Sequence, residues 1–182
     1  YASMCLCGSK IKSGQHRIIC NLLLMKFIYL FMAFLFVSFH SPDEEKPFIV
    51  VLGTAQDAGY PQIGCNKDCC KKVYEKKAVR QMVSSIAIVD PASKQKWIID
   101  ATPDFPEQVK LLDTYQAGDL SGIFLTHAHI GHYTGLMYLG REAMNAGKVP
   151  VYAMPRMHDF LKANGPWSQL VTRGNIELKK MK

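Results

Sequence analysis

Three of the chain's six histidines, His127, His129 and His132, fall within six positions of the stretch THAHIGHYTGL, residues 126–136. The spacing is H-x-H-x-x-H, and it follows an apolar run that reads as a strand from Ile123 to Thr126. This constrains the fold as well as the chemistry. Two imidazoles at i and i+2 past a strand end share one side where the loop bends, and the third lies at the start of the next helix. A helix N-terminus disfavours positive charge, so His132 is expected to be neutral and able to bind a metal. Neutral imidazoles ligate zinc at about 2.0–2.1 Å. The alternative is three hydrogen-bonded histidines on a loop. A single histidine is often structural, whereas three so close together rarely are, which favours the metal.

The remaining pattern supplies the scaffold. Phe48 to Leu52 reads as a buried strand ending at Gly53, and Gly59, Pro61 and Gly64 turn the loop after it. NKDCCKKVYEKKA reads as a helical turn or a loop. MVSSIAIVD and KWIID, joined by the turn PASKQ, read as a hairpin. A helix is expected from near Pro106, with Asp104 as its cap and Phe105, Val109 and Leu112 toward the core. HYTGLMYLGREAMNAG reads as a helix with Leu136, Leu139 and Ala143 at helical spacing and Gly147 as its stop. VPVYAM is a strand, PRMHDFLKAN a helix led by Pro155, and NIELKKM a last strand. This order indicates a mixed sheet with helices packed on it, an α/β (α+β) class. With 48% hydrophobic and 20% charged residues, the chain can form a packed core and is not a disordered segment.

The chain begins at Tyr1 rather than Met, and residues 1–24 read as non-native upstream sequence. From Met25 comes a lysine, then thirteen nearly all apolar residues from Phe27 to Phe39, then a polar end. That is the layout of a secretory signal peptide over residues 25–41. The run is shorter than the roughly 20 residues of a membrane span, so an uncleaved anchor is the second reading. The folded domain is expected over residues 46–182. The expected location is exported (periplasmic or extracellular) or membrane-anchored, and cytoplasmic if residues 1–41 are not native. An anchor would add membrane association.

The leader also carries much of the charge. The formal net charge is +7, but four of the 22 basic residues and none of the 15 acidic ones precede residue 42, so the remainder is only +3. That is too mild for a nucleic-acid partner, and none is expected. Lys67, Lys71, Lys72, Lys76 and Lys77 read as a solvated helix face beside a turn. Outside the leader the cysteines are Cys65, Cys69 and Cys70, within six positions. Their number is odd and sequence neighbours pair poorly as disulfides. Three close thiolates suit zinc, and three reduced thiols in a loop are the alternative.

FLTHAHIGHYTGL resembles the metal-binding motif of the metallo-β-lactamase superfold, H-x-H-x-D-H after a strand. LGTAQDAGYPQIGCNKDCC together with HIGHYTGLMYLGREA resembles the branch of that superfold containing pyrroloquinoline quinone (PQQ) biosynthesis protein B and phosphodiesterase-like relatives. The resemblance runs from about residue 48 to the end. It implies an αβ/βα sandwich, of which this chain would be the N-terminal half only, with the site at one edge between two sheets. It implies that His127 and His129 belong to a first metal site and His132 to a second. Gly131 stands where the family has an aspartate that binds the second metal and orients the attacking water. Asp57, in the loop after the first strand, is the candidate for supplying a carboxylate by another route, and a turn-stabilising aspartate is the other reading. Asp100 and Asp104 resemble a strand-end region near the site, where one would support a histidine through its far nitrogen. His158 and Asp159 are expected to be surface helix residues, so the remaining ligands would lie beyond residue 182 and the fragment alone would be inactive. Cys65, Cys69 and Cys70 resemble the structural zinc site of the same branch.

The resulting expectation is a zinc-dependent hydrolase with one catalytic-type and one structural metal site, acting on a small-molecule phosphodiester or other ester. A PQQ-biosynthesis-type oxygenase or accessory protein is the first alternative. A non-catalytic zinc-stabilised module is the second.

Overall fold

Isoleucine-rich runs on both sides of a Pro-led turn make the hairpin that anchors the sheet. In the computed structural model, which describes Lys26 and residues 46–182 apart from Ala58, β2 (Ser85–Asp90) and β3 (Gln95–Ile99) pair antiparallel from Ile86 opposite Ile99 to Asp90 opposite Gln95. The expected signal peptide, apart from Lys26, lies outside the described residues. No described helix is long and apolar enough to cross a membrane.

β1 (Phe48–Gly53) adds antiparallel to β2. β4 (Gly122–Phe124), β5 (Val149–Ala153) and β6 (Ile176–Lys180) add in parallel on the other side of β3. The described strands form one six-stranded mixed sheet in the order β1-β2-β3-β4-β5-β6. The helices are α1 (Asp68–Tyr74), α2 (Phe105–Leu112), α3 (Pro155–Ala163) and α4 (Trp167–Thr172). Together with the sheet they form one αβ layer of the expected sandwich.

The core lies between the sheet and α2, α3 and α4. Leu52, Ala87, Val89, Ile98, Ile123 and Val151 from the strands meet Phe105, Leu112 and Leu161 from the helices. Each fully buried Val, Leu, Ile or Phe among these contributes about 1.5–3 kcal/mol. β1 was expected to be buried, but only Val50 and Leu52 are; Ile49 and Val51 are 65% and 60% exposed. In an extended strand, alternate side chains take opposite faces, and one face of β1 is uncovered.

Three further expectations change. First, residues 132–147 do not form an α-helix. They make two 3-10 turns, Ile130–His132 and Thr134–Leu139, which end at Gly140. Leu136 and Leu139 are buried as expected, because a spacing of three also fits a 3-10 turn, whereas Ala143 is exposed. The diversion comes from Gly135, whose amide donates to the Ala101 carbonyl at 2.9 Å. A methyl group there would lie 2.8 Å from both the Ala101 carbonyl carbon and the Phe105 Cβ. Second, Asp104 occupies the N-cap position of α2 but makes no capping bond. Its carboxylate instead accepts the Val83 amide at 2.8 Å and pairs with Arg80, tying residues 80–83 to the helix. Third, α4 was not foreseen; its six residues are too few for a periodic signal. Lys71 on α1 and Lys77 beyond its end meet Glu75 at 3.9 and 2.7 Å, and the lysines are exposed, as a solvated face requires.

Candidate metal centre

β3 ends at Ile99, and the chain turns through Asp100 with its backbone in the left-handed region, φ +69°. A non-glycine residue there is strained and persists only when its surroundings hold it. The surroundings are specific. The Asp100 amide donates to the Phe124 carbonyl at 2.8 Å. Its buried carboxylate accepts the Thr126 amide at 2.8 Å and the Thr126 hydroxyl at 2.7 Å. The same carboxylate lies 2.8 Å from His132 Nδ1. Thr126 is drawn out of β4 by this contact, which is why the strand stops at Phe124 rather than at the expected Thr126.

His127 Nδ1 lies 2.9 Å from Thr126 Oγ1. A hydroxyl has one proton, and here it goes to the Asp100 carboxylate, so His127 Nδ1–H donates to the hydroxyl oxygen. One buried carboxylate thus sets two imidazoles: His132 directly and His127 through Thr126. Both rings then turn Nε2 outward, the arrangement that second partners impose on metal-binding histidines. Of the two aspartates considered for this support, Asp100 provides it and Asp104 does not. Thr126 was missed; a hydroxyl residue next to the first histidine was the available signal.

His129 is exposed, and its ring centroid is 4.5 Å from that of His127. The His132 centroid is 4.2 Å from His127. Asp57 reaches the cluster from the loop after β1, with Oδ1 3.0 Å from His132 Nε2 and Oδ2 3.4 Å from His129 Nδ1. The hydrogen bond with His132 is the main cause that holds the Asp57 carboxyl below the ordinary aspartate range.

His132 sits under opposing influences. Burial is the largest single influence and lowers its pKa, but Asp100 and Asp57 together outweigh it and leave the value raised. The 3-10 turn at His132 has only three residues, too few for a substantial dipole.

The donor set suits a divalent ion. Ligand atoms of Asp57, His127 and His129 lie within 4.8 Å of one another, and so do those of Asp100, His127 and His132. Imidazole and carboxylate together are zinc donors. Beside His127 opens a cavity of about 540 Å³, walled by Leu125, Tyr133, Met157 and Phe160, with Arg156 the one formally charged lining residue. His158 and Asp159 bond to each other at 2.8 Å on α3 and take no part in the cluster.

Cys65, Cys69 and Cys70 form a second group, again with ligand atoms within 4.8 Å. The interaction between Cys70 and Cys65 is the largest influence on both thiols, drawing Cys65 down and pushing Cys70 up. The Tyr60 hydroxyl donates to the Cys69 carbonyl at 2.9 Å and fixes the loop against α1.

Residues 96–182 match the profile of the beta-lactamase superfamily domain. The chain is similar to coenzyme PQQ synthesis protein B of Acinetobacter baylyi, at 30% identity over 137 residues, covering 70% of this chain and 43% of that protein. The protein of the same name from Klebsiella pneumoniae is 31% identical over 128 residues, covering 65% and 40%. Among solved structures, Zn(2+)-bound PqqB from Methylobacterium extorquens superposes with a TM-score of 0.63 at 20% identity, over 74% of this chain and 49% of that one. A diphosphatase from the PhnP family superposes with a TM-score of 0.57 at 24% identity, over 76% and 51%. These likenesses establish the metallo-β-lactamase fold that the histidine motif implied. The chain spans about 40% of the length of the curated relatives it matches.

Proposed function

We propose that this protein is a metal-dependent hydrolase of the superfamily, acting on a small-molecule phosphodiester or other ester. The observation that carries the reading is the single buried carboxylate, Asp100, that orients both His132 and, through Thr126, His127, the histidine shared by the two ligand groups. Such preorganisation holds a non-glycine residue in the left-handed region, φ +69°, to orient two imidazoles.

His127, His129 and His132 would hold zinc, with Asp57 and Asp100 at hand. A zinc ion there supplies a water acidified to a pKa of about 7 and a Lewis acid for the scissile group. The chain's own residues do the rest. Asp100 and Thr126 hold the imidazoles in place. Leu125, Tyr133, Met157 and Phe160 keep water from the substrate's body, and Arg156 suits an anionic group such as a phosphodiester. Cys65, Cys69 and Cys70 would hold a separate structural zinc that stiffens a glycine-rich loop.

The test is metal analysis and hydrolysis of a generic phosphodiester before and after chelation. Metal content and activity should both fall in the His127→Ala, His129→Ala double variant. Unchanged metal content would sink the histidine site. The second reading, a PQQ-biosynthesis-type oxygenase or accessory protein, is favoured by the named relatives and by Gly131 in the motif. Oxygen-dependent conversion of a PQQ precursor, without hydrolysis, would select it.

A further inference from the structure

Gly131 lies in the middle of the histidine turn, and its φ is not in the left-handed region, so conformation alone does not demand glycine. Space does. A Cβ added there would lie 2.6 Å from the Asp57 carbonyl oxygen, 3.0 Å from the Asp57 Cβ and 3.2 Å from the Asp57 carbonyl carbon. Real Cβ atoms essentially never come so close to a backbone oxygen, and a backbone cannot step aside as a flexible side-chain end can. The volume a side chain at 131 would fill is therefore filled by Asp57.

Asp57 arrives on a stapled loop. Ala55 bridges to Val83 before it and Tyr60 bridges to Gln81 after it. The amides of Thr54 and Ala55 both donate to the Met82 carbonyl, at 3.0 and 2.9 Å. The carboxylate so delivered contacts His129 and His132 and shares a ligand-sized space with His127 and His129.

We infer that Asp57 is a metal ligand of the histidine centre, and that positions 57 and 131 form an exclusive pair in which only one can carry the carboxylate. This rests on the metal-centre reading above. The centre takes its acid from a distant loop, and Gly131 is the vacancy that lets the loop in. An aspartate placed at 131 in the natural background would add no ligand; it would push the Asp57 loop away.

The experiment changes each position, and both together, and reads metal binding. Asp57→Gly, Asp57→Asn, Gly131→Asp and the double Asp57→Gly, Gly131→Asp variant are titrated with cobalt(II), following the visible bands of the histidine–carboxylate site. Thiolate-bound cobalt has a separate charge-transfer band, so the two groups are read apart, and cooperative thermal unfolding followed by circular dichroism checks that each variant is folded. Asp57→Asn keeps the shape and should lose affinity by at least about tenfold, the scale on which even outer partners of a metal site matter. Gly131→Asp should also lose affinity, and the double variant should be no better than Asp57→Gly, because the residue-57 carbonyl that excludes a side chain at 131 is still there. Natural affinity and spectrum in Asp57→Asn would overturn the inference, as would a Gly131→Asp variant that binds cobalt as tightly as the natural protein. If the unaltered protein binds no cobalt outside the thiolate band, the metal-centre reading itself fails. Binding lost with His127→Ala but kept with Asp57→Asn sinks only this inference.

Discussion

The two candidate metal groups are assembled in opposite ways. Cys65, Cys69 and Cys70 span six positions, and one loop with one turn of α1 brings their sulfurs together. The histidine centre draws on three distant segments: Asp57 after β1, Asp100 after β3 and residues 126–132 after β4. His132 bonds to partners 75 and 32 positions away. A local cluster needs little of the fold to exist. The distributed one exists only where the sheet is in register, so its ligands and its stability are one matter.

Breaking the hub should separate the two groups most sharply. Asp100→Ala removes the acceptor for the Thr126 amide and hydroxyl and for His132 Nδ1. The expected cost is about 2–4 kcal/mol, because bonds to a buried carboxylate are worth about 1.5–3 kcal/mol and the groups left unpaired are costly. Metal should leave the histidine centre and stay on the cysteines, as urea unfolding with metal analysis would show. Equal loss from both groups would end the idea that they are independent.

The converse change is local. Cys65→Ala should remove the metal of the cysteine group and shrink the zinc-dependent rise in Tm, leaving the histidine centre's cobalt bands in place. A finer cut is Thr126→Val, which keeps the shape but deletes the hydroxyl between Asp100 and His127. It should cost about 1 kcal/mol and weaken metal binding about tenfold; unchanged affinity would mean His127 is set by something else.

The smallest effect lies away from both groups. Asp159 is held below the ordinary carboxylate range, first by its bond with His158 and then by Lys180. A depressed folded pKa gives stability that is present above the unfolded value, about 3.9, and is lost as pH falls through the folded one. The Tm gap between the natural protein and Asp159→Asn should be small near neutrality and close in acid. A gap that widened in acid would contradict the pairing.

Legibility followed the same division. The hairpin, the parallel strands after it and α3 announce themselves through short-range pattern, and the structure keeps them. The stretch after His132 was misread because Leu136 and Leu139 satisfy both helical periods, and only the meeting of Gly135 with Ala101 and Thr102 chose the tighter one. Asp104 was placed at the right helix position with the wrong bond, since Val83 and Arg80, its real partners, are 21 and 24 positions distant.

The sequence by itself determined the family resemblance, the three imidazoles and the three thiols, because ligand type and spacing within a loop are local properties. Tertiary structure alone decided which carboxylates serve them. Asp100 earns its place through strain that only the ends of β3 and β4 can hold, and Asp57 through a volume that only a side-chain-free residue 131 leaves open. Spacing along a chain says nothing of either, because both depend on which segments the sheet lays side by side.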